Sequence, residues 1–424
     1  MRSPTRLAAV LLFAALAAPS LPSPAAADWK GKQVAQGDVV LVQNPAEPML
    51  APTTIRPTEA WRLGGDSDSD DEFFGVLVDM LEDPEGDVYL LDQVLCDIKV
   101  FSHDGEFLRA IGREGEGPGE FRNARDFVQL PDGTLAVFEL APGRVVQLTP
   151  DGEPAGEHPL PTIEGAGFLI LLGAQREADN LALAFGYNSF ETGKFTTVRC
   201  LSRIGADGAL LTDYVKDPRS VDLANPVIEE RRWDGFENRW AMGVDGRVYA
   251  AVHWGEYEIT VWTADGRRER VITRPLEERK RSREEMDRYH AIYEPFIRSF
   301  PGAKPGIEDR DHRIQQVHVR PDGSLWVLNA FGAFERPEGS LGVFDVFDAQ
   351  GRFQREVTIM GEGDPLRDGY RFIGDRLYVM TGFLDAAMNA AGGADDEAMA
   401  EDAKPMAVIC YELGDALKLA RADR

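Results

Sequence analysis

The sequence predicts an all-β chain: a six-bladed β-propeller of four-stranded antiparallel blades. Two observations predict it. An acidic or glycine turn followed by an apolar strand recurs six times along the 424 residues. A second strand pair, with its own Asp-Gly-type turn, follows each of the first five copies. From Gly86 to Gly133 the spacing is 47 residues, a usual length for one propeller blade. Radial repetition of four-stranded units leaves only short strand edges.

The elements follow in order. Residues 1–27 open with Arg2 and Arg6, continue with the apolar run Leu7 to Ala18 and end in Ala25-Ala26-Ala27. This predicts a secretory signal peptide, because the run is too short to span a bilayer. The mature chain is then expected to be secreted or periplasmic and to begin at Asp28. Residues 28–53 are read as an N-terminal extension, 54–414 as the propeller and 415–424 as a C-terminal tail.

The inner strand pairs are EDPEGDVYLLD at Glu82, QLPDGTLAVFE at Gln129, the degenerate READNLALAF at Arg176, GVDGRVYAAVH at Gly243, VRPDGSLWVLN at Val319 and RFIGDRLYVMT at Arg371. The sixth copy is followed by the single strand MAVICYEL. Its missing fourth strand is expected from the N-terminal side, in TIRPTEAWRLGG at Thr54 to Gly65, which would close the ring.

The stretch GREGEGPGEF, Gly112 to Phe121, is glycine-rich without being a phosphate loop. No Gly-Lys-Ser/Thr follows it, Pro118 removes a donor, and three glutamates would repel a phosphate. It reads as the connector from blade one to blade two.

The chain is longer than six regular blades require, and the surplus is not scattered. Strand direction alternates within a blade, so the tight Asp-Gly turns share one face of the disc. The long segments Asp66–Gly75, Lys216–Arg239, Arg274–Arg313, Asn329–Gly342 and Thr381–Pro405 share the other. Binding residues concentrate on loops carried by a rigid scaffold, so the long-loop face is expected to be the functional one. The longest insertion, before blade five, carries a helix. Ser282 and Glu285 form a capping box, and Met286, Tyr289, Tyr293 and Phe296 make one apolar stripe. Pro295 places the expected helix end near Glu294.

Composition narrows the function classes. The formal charge of −26 becomes −28 once Arg2 and Arg6 are removed. Such a surface repels nucleic acid and anionic membranes. Cys96, Cys200 and Cys410 lie far apart in apolar segments, which reads as buried thiols, with one disulfide open as the alternative. The run GDSDSDDEFF sets Asp66, Asp68 and Asp70 at calcium-loop spacing but lacks the glycine and the terminal glutamate such a loop needs, having Asp71 and Leu77 there. The six histidines include no HExxH pair.

The chain resembles the bacterial six-bladed β-propeller proteins of the NHL-repeat-like class. The resemblance rests on the Gly112–Phe121 connector, on WKGK and VVLVQNPAEPM near the expected mature start, and on FPGAKPGI in the insertion. It covers most of residues 28 to 414 and implies the fold more than a function. The peptide-amidating lyases share the Gly-Pro-Gly connector and use zinc held by histidines near the channel, whereas the matching strand here, FRNARDF, has none.

Two readings of function follow. In the first, the exported propeller is a binding module whose long-loop face holds a protein, peptide or glycan, without nucleic acid, membrane insertion or a required cofactor, and as a monomer. Its candidate ligand-binding residues are Arg125, Arg239, Arg313 and Arg371 at the starts of inner strands, with His253 and Asn329 at the ends of second strands. The arginines would form an anion site, or would pair with neighbouring carboxylates such as Asp126 and Asp368. In the second, a divalent metal, calcium or zinc, sits in the central channel of a hydrolase or lyase, as in lactonase-type and amidating propellers. No catalytic residue is assigned.

Overall fold

The fold was analysed in a computed structural model, which describes residues 28–236, 238–298, 302–390 and 404–414. The signal-peptide reading and the tail 415–424 lie outside the described residues. The chain is a six-bladed β-propeller.

Blade one is built from Leu77–Glu82, Val88–Asp92, Asp97–Phe101 and Phe107–Ile111, and blade two from Ala124–Gln129, Leu135–Glu139, Arg144–Leu148 and Pro154–Glu157. Blade three comprises Ile170–Glu177, Asn180–Glu191, Lys194–Ile204 and Leu210–Asp222. Blade four comprises Trp240–Met242, Val248–Ala250, Glu258–Trp262 and Arg268–Thr273. Blade five comprises Ile314–Val319, Leu325–Asn329, Ser340–Phe347 and Phe353–Met360, and blade six holds Gly369–Ile373, Arg376–Thr381 and Ala407–Glu412. Within each blade, consecutive strands pair antiparallel.

The second strands of blades one, two, five and six are buried along their whole length. Each is covered on both sides by a neighbouring blade, so its sequence is a continuous apolar run and does not alternate. The core is a set of inter-blade wedges. Tyr89, Leu91, Phe121, Phe127 and Val137 fill the one between blades one and two. Phe121 is the end of the glycine-rich connector and is fully buried. Gly112, at φ +84°, must stay a glycine because a Cβ there would lie 2.6 Å from the Phe121 ring.

The segment before blade one forms a belt. Strands β1 (Lys32–Gln36) and β2 (Val39–Gln43) make a hairpin whose second strand adds in parallel to the outer strand of blade four. Strand β3 (Thr53–Ile55) adds in parallel to the outer strand of blade five. Strand β4 (Thr58–Gly64) pairs antiparallel with Ala407–Glu412 as the fourth strand of blade six. Residues 28–53, read from sequence as an extension, are thus edge strands of two blades.

Two further differences from the sequence reading concern length. Lys216 to Asp222, expected in a loop, continue the outer strand of blade three. Three strands of that blade run 11 to 13 residues and rise beyond the disc as a tongue on the long-loop side, with Phe190 exposed near its tip. Among the described residues four α-helices lie on that side: α1 (Glu230–Trp233), α2 (Arg283–Arg298), α3 (Ala330–Phe334) and α4 (Phe383–Ala390). Helix α2 continues past Pro295 to Arg298, so the proline does not end it. Its start has the expected capping box: Ser282 Oγ accepts from Glu285 N at 3.2 Å, and Glu285 Oε2 accepts from Ser282 N at 2.6 Å. Met286, Tyr289 and Tyr293 form its half-buried side.

Candidate functional site

Three polar regions stand out, and each is fixed by the propeller geometry. The first lies on the axis. The third residue of the inner strand is Asp79 in blade one, Asp126 in blade two, Gln316 in blade five and Arg371 in blade six. Equivalent positions meet at one level. Arg371 Nε donates to Asp79 Oδ1 at 2.7 Å. Asp126 Oδ2 accepts from the Ala174 N–H of blade three at 2.8 Å, and the Asp79 charge of blade one lies beside it. Gln175 Oε1 accepts from Met242 N of blade four at 2.7 Å. Val317 N of blade five donates to Asn238 O at 3.0 Å, and Gln316 Nε2 donates to Pro365 O, ahead of blade six, at 3.2 Å. Hydrogen bonds thus join the inner strands of blades six and one, two and three, and three and four, and blade five reaches the segments ahead of blades four and six.

Burial, then the adjacent Asp79 charge, holds the Asp126 carboxyl well above the usual carboxylate range, against the pull of Arg371. His318 Nε2 lies 3.0 Å from Gln316 Oε1. Burial, helped by the charges of Arg371 and Arg320, lowers its imidazole to about 3.

The second region is an ionic lattice beneath α2. Arg281 binds both carboxylate oxygens of Glu230 at 2.8 Å and Asp311 Oδ1 at 2.7 Å. Arg279 binds the other oxygen of Asp311 at 2.6 Å and Glu285 at 2.7 Å. The Tyr289 ring of α2 lies over the Arg281 guanidinium, 3.5 Å from its centroid. Arg239 and His312 both reach Asp234. Burial opposes the charge on Asp234, but the Arg239 charge and the His312 contact hold its carboxyl far below the usual range. Burial lowers His312 to about 4 despite that contact. The capping glutamate of α2 is thus also a lattice member, which clamps the insertion to blades four and five.

The third region is a cleft of about 460 Å³ on the long-loop face. It lies between the root of the blade-three tongue, through Arg219, and the loop Val252–Glu256, with Arg231 of α1 at its edge. The His253 imidazole is 56% exposed, 3.7 Å from Glu258, and the Arg231 guanidinium is 49% exposed while bound to Glu308. Trp254 is buried in the wall, and among the described residues its indole N–H has no acceptor.

The residues named from sequence are distributed over these regions. Arg371 is axial, and Arg125 lies half-buried on the strand that carries Asp126. Arg239 is taken by Asp234 and by Ala251 O, and Arg313 lies 3.8 Å from Glu278. Asn329 caps α3, accepting from Gly332 N and donating to Asp345, each at 2.9 Å. His253 lines the cleft. The four arginines therefore do not converge on one mouth. Three of them face the carboxylates Asp234, Glu278 and Asp79, while Asp368 accepts backbone N–H groups of Asp364 and Gly382.

The polar ends of second strands hold loops. Asp92 accepts from the N–H groups of Gly75, Val76, Val94 and Leu95 at 2.6 to 3.1 Å. Glu139 takes Arg122 N and a bidentate Arg144. Sequence reasoning missed Asp79 as an axial residue. Its signal was a charged side chain at the third place of three inner strands. All three cysteines are buried free thiols. Among the described residues no group of three or more His, Cys, Asp or Glu side chains is placed to hold a metal ion. Among them, too, no helix is long and apolar enough to cross a membrane.

Comparison with known proteins agrees with the fold. Residues 69–202 match a family described as 6-bladed beta-propeller. The match concerns the propeller and does not extend to the NHL-type class. No curated protein matches the sequence. Among solved structures, the chain is similar to a Bacteroides fragilis protein described as exported, at 12% identity and a TM-score of 0.47, covering 85% of this chain and 98% of that one. It is similar to regucalcin, a calcium-binding protein from Agrobacterium tumefaciens, at 12% identity and a TM-score of 0.42, covering 85% and 96%. It is also similar to virginiamycin B lyase from Staphylococcus aureus, at 11% identity and a TM-score of 0.38, covering 83% and 98%.

Proposed function

We propose that this protein is an exported binding module that holds a protein, peptide or glycan on its long-loop face, at the cleft between the blade-three tongue and the His253 loop. One contrast supports this reading. The polar side chains on the axis are engaged in bonds between blades, whereas the cleft presents His253 and Arg231 to solvent over a wall fixed by buried partners. A rigid scaffold with variable loops at one end is a common arrangement for recognition. The cleft's volume suits a short segment of a larger ligand.

The test is capture on arrays of peptides and glycans by the mature chain and by the His253→Ala/Arg231→Ala double variant. The reading expects a defined set of binders, at least tenfold weaker for the variant, with an unchanged Tm. Binders held equally by both proteins would move the site elsewhere. Turnover of an arrayed compound would replace the binding assignment with an enzymatic one.

A further inference from the structure

The cleft on the long-loop face contains one arginine that is held on three sides and open on the fourth. Arg219, at the root of the tongue, donates through Nη1 to the backbone oxygens of Arg231 and of Asp234, the latter at 2.8 Å. Asp217 Oδ2 accepts from Arg219 Nε at 2.7 Å and lies 2.6 Å from Nη2, so this guanidinium is occupied in fixing the backbone of Arg231. The Arg231 side chain is fixed in turn. Glu308 Oε2 accepts from its Nη2 at 2.8 Å, and Glu308 Oε1 lies 2.8 Å from its Nε. The guanidinium stands over the Trp254 ring, 5.7 Å from the centroid.

A guanidinium carries five N–H donors. Glu308 faces the Nε–H and one Nη2–H of Arg231. The other Nη2–H and the Nη1 group have no partner among the described residues, and the side chain is 49% exposed. This open edge is a fork that fits a carboxylate bidentately. An arginine already held in place loses little freedom when it binds. A second observation points to an oxygen-bearing occupant. Trp254 is 8% exposed and, among the described residues, its buried indole N–H has no acceptor, which is rare in a folded chain. Because Asp217 and Glu308 offset the charges of Arg219 and Arg231, the cleft selects by hydrogen-bond geometry more than by net charge. The same indole argues against a sugar, whose C–H face packs on an open aromatic face. The ring of Trp254 is covered by His312, at 3.4 Å between centroids, and flanked by Arg231 and Arg281.

We propose that the cleft holds a peptide by a carboxylate, gripped by the open Nη1–Nη2 edge of Arg231. This inference rests on the binding function proposed above and names the ligand chemistry at that same cleft. The carboxylate belongs either to the C-terminus of the peptide or to an Asp or Glu side chain within it. Arg231 is the residue that touches the ligand. Arg219 and Glu308 are positioning residues, because they hold its backbone and its inner edge.

The experiment probes the mature chain with an array of random short peptides printed in three forms: with a free C-terminus, with a C-terminal amide, and with Asp and Glu replaced by Asn and Gln. Captured peptides are then titrated in solution. One of the two forms that lack a carboxylate should bind at least about tenfold more weakly, the usual worth of a hydrogen bond to a charged group, and which form it is identifies the source of the carboxylate. Arg231→Lys keeps the charge and loses the fork, so it should weaken the intact peptide about as much as Arg231→Ala does. Neither substitution should affect the form without the carboxylate, a coupling that a merely structural role of Arg231 would not produce. Peptides lost on His253→Ala/Arg231→Ala but indifferent to removal of both kinds of carboxylate would overturn this inference and leave the cleft as the binding site. Peptides indifferent to the carboxylates and to the double variant would overturn both. Capture of oligoglucuronate in place of any peptide would overturn the peptide assignment.

Discussion

Arg281 grips both carboxylate oxygens of Glu230 at 2.8 Å across 51 residues of sequence, and neither side chain is more than 3% exposed. The pair joins the segment after the blade-three tongue to the segment before α2. It fixes the walls around the cleft, whose own arginines are paired in turn, Arg231 with Glu308 and Arg219 with Asp217. A buried ion pair of this kind is expensive to break on one side, because the partner is left charged and unpaired.

The first prediction follows directly. Arg281→Ala should destabilise the folded chain by about 3–5 kcal/mol, since Glu230 then loses its buried partner. Arg281→Met with Glu230→Met should recover part of that loss, because apolar replacement of a buried pair is often nearly neutral while Asp311 keeps only Arg279. Denaturant unfolding of the three proteins measures it. A double variant as unstable as the single one would mean that the pair is not the relevant contact.

A second prediction concerns the belt. Asn44 donates to Thr273 O and Gly351 O and accepts from Phe353 N and Trp29 Nε1. It ties the N-terminal segment to blades four and five at once. Asn44→Ala leaves buried backbone groups without partners, at about 1–3 kcal/mol for each. Limited proteolysis should then cut near β1 and β2 before it cuts the blades. Unchanged cleavage would show that strand pairing alone holds the belt.

The third prediction is a pH effect. His312 and His318 are lowered to about 4 and about 3, chiefly by burial. A depressed histidine takes its proton more readily when unfolded, so it subtracts stability as pH falls below about 6.5 toward its folded value. His318→Gln should therefore raise the Tm at about pH 4.5 relative to wild type while changing it little near pH 8, where neither form of histidine is charged. Equal changes at both values would indicate a packing effect.

The polar end of the second strand in blade one makes a fourth. The buried Asp92 carboxylate accepts four backbone N–H groups, including Gly75 and Val76 at the end of the acidic loop. Asp92→Ala should lower stability by about 1–3 kcal/mol or more, as groups are left unpaired. It should also increase hydrogen exchange in residues 65–76. A loop as protected as in the wild type would contradict this role.

Much of the fold was legible because the determinants are local. Many hairpins have a turn such as Leu130–Gly133, with Gly133 at φ +85° and Asp132 accepting from Thr134 N, and that signature repeats. The Ser282–Glu285 cap was equally local. The axial ring was not legible, because Asp79, Asp126 and Arg371 are 47 and 245 residues apart in sequence and meet only once six blades are closed. The belt was hidden for the same reason: nothing in VVLVQ says that it pairs with Arg270–Thr273. The arginines Arg239 and Arg313 were visible as charges, but their partners Asp234 and Glu278 lie in irregular segments that sequence spacing does not place.

The central claim, that recognition belongs to the long-loop face, is tested most directly by blocking one face at a time. All three native cysteines are buried, so a single introduced cysteine can carry a bulky maleimide polymer. His253→Cys places the polymer at the cleft, and Asp132→Cys places it in an Asp-Gly turn on the opposite face. Capture of a ligand identified on the arrays should be abolished by the label at 253 and unchanged by the label at 132. Capture that survives at 253, or is lost only at 132, would contradict the claim.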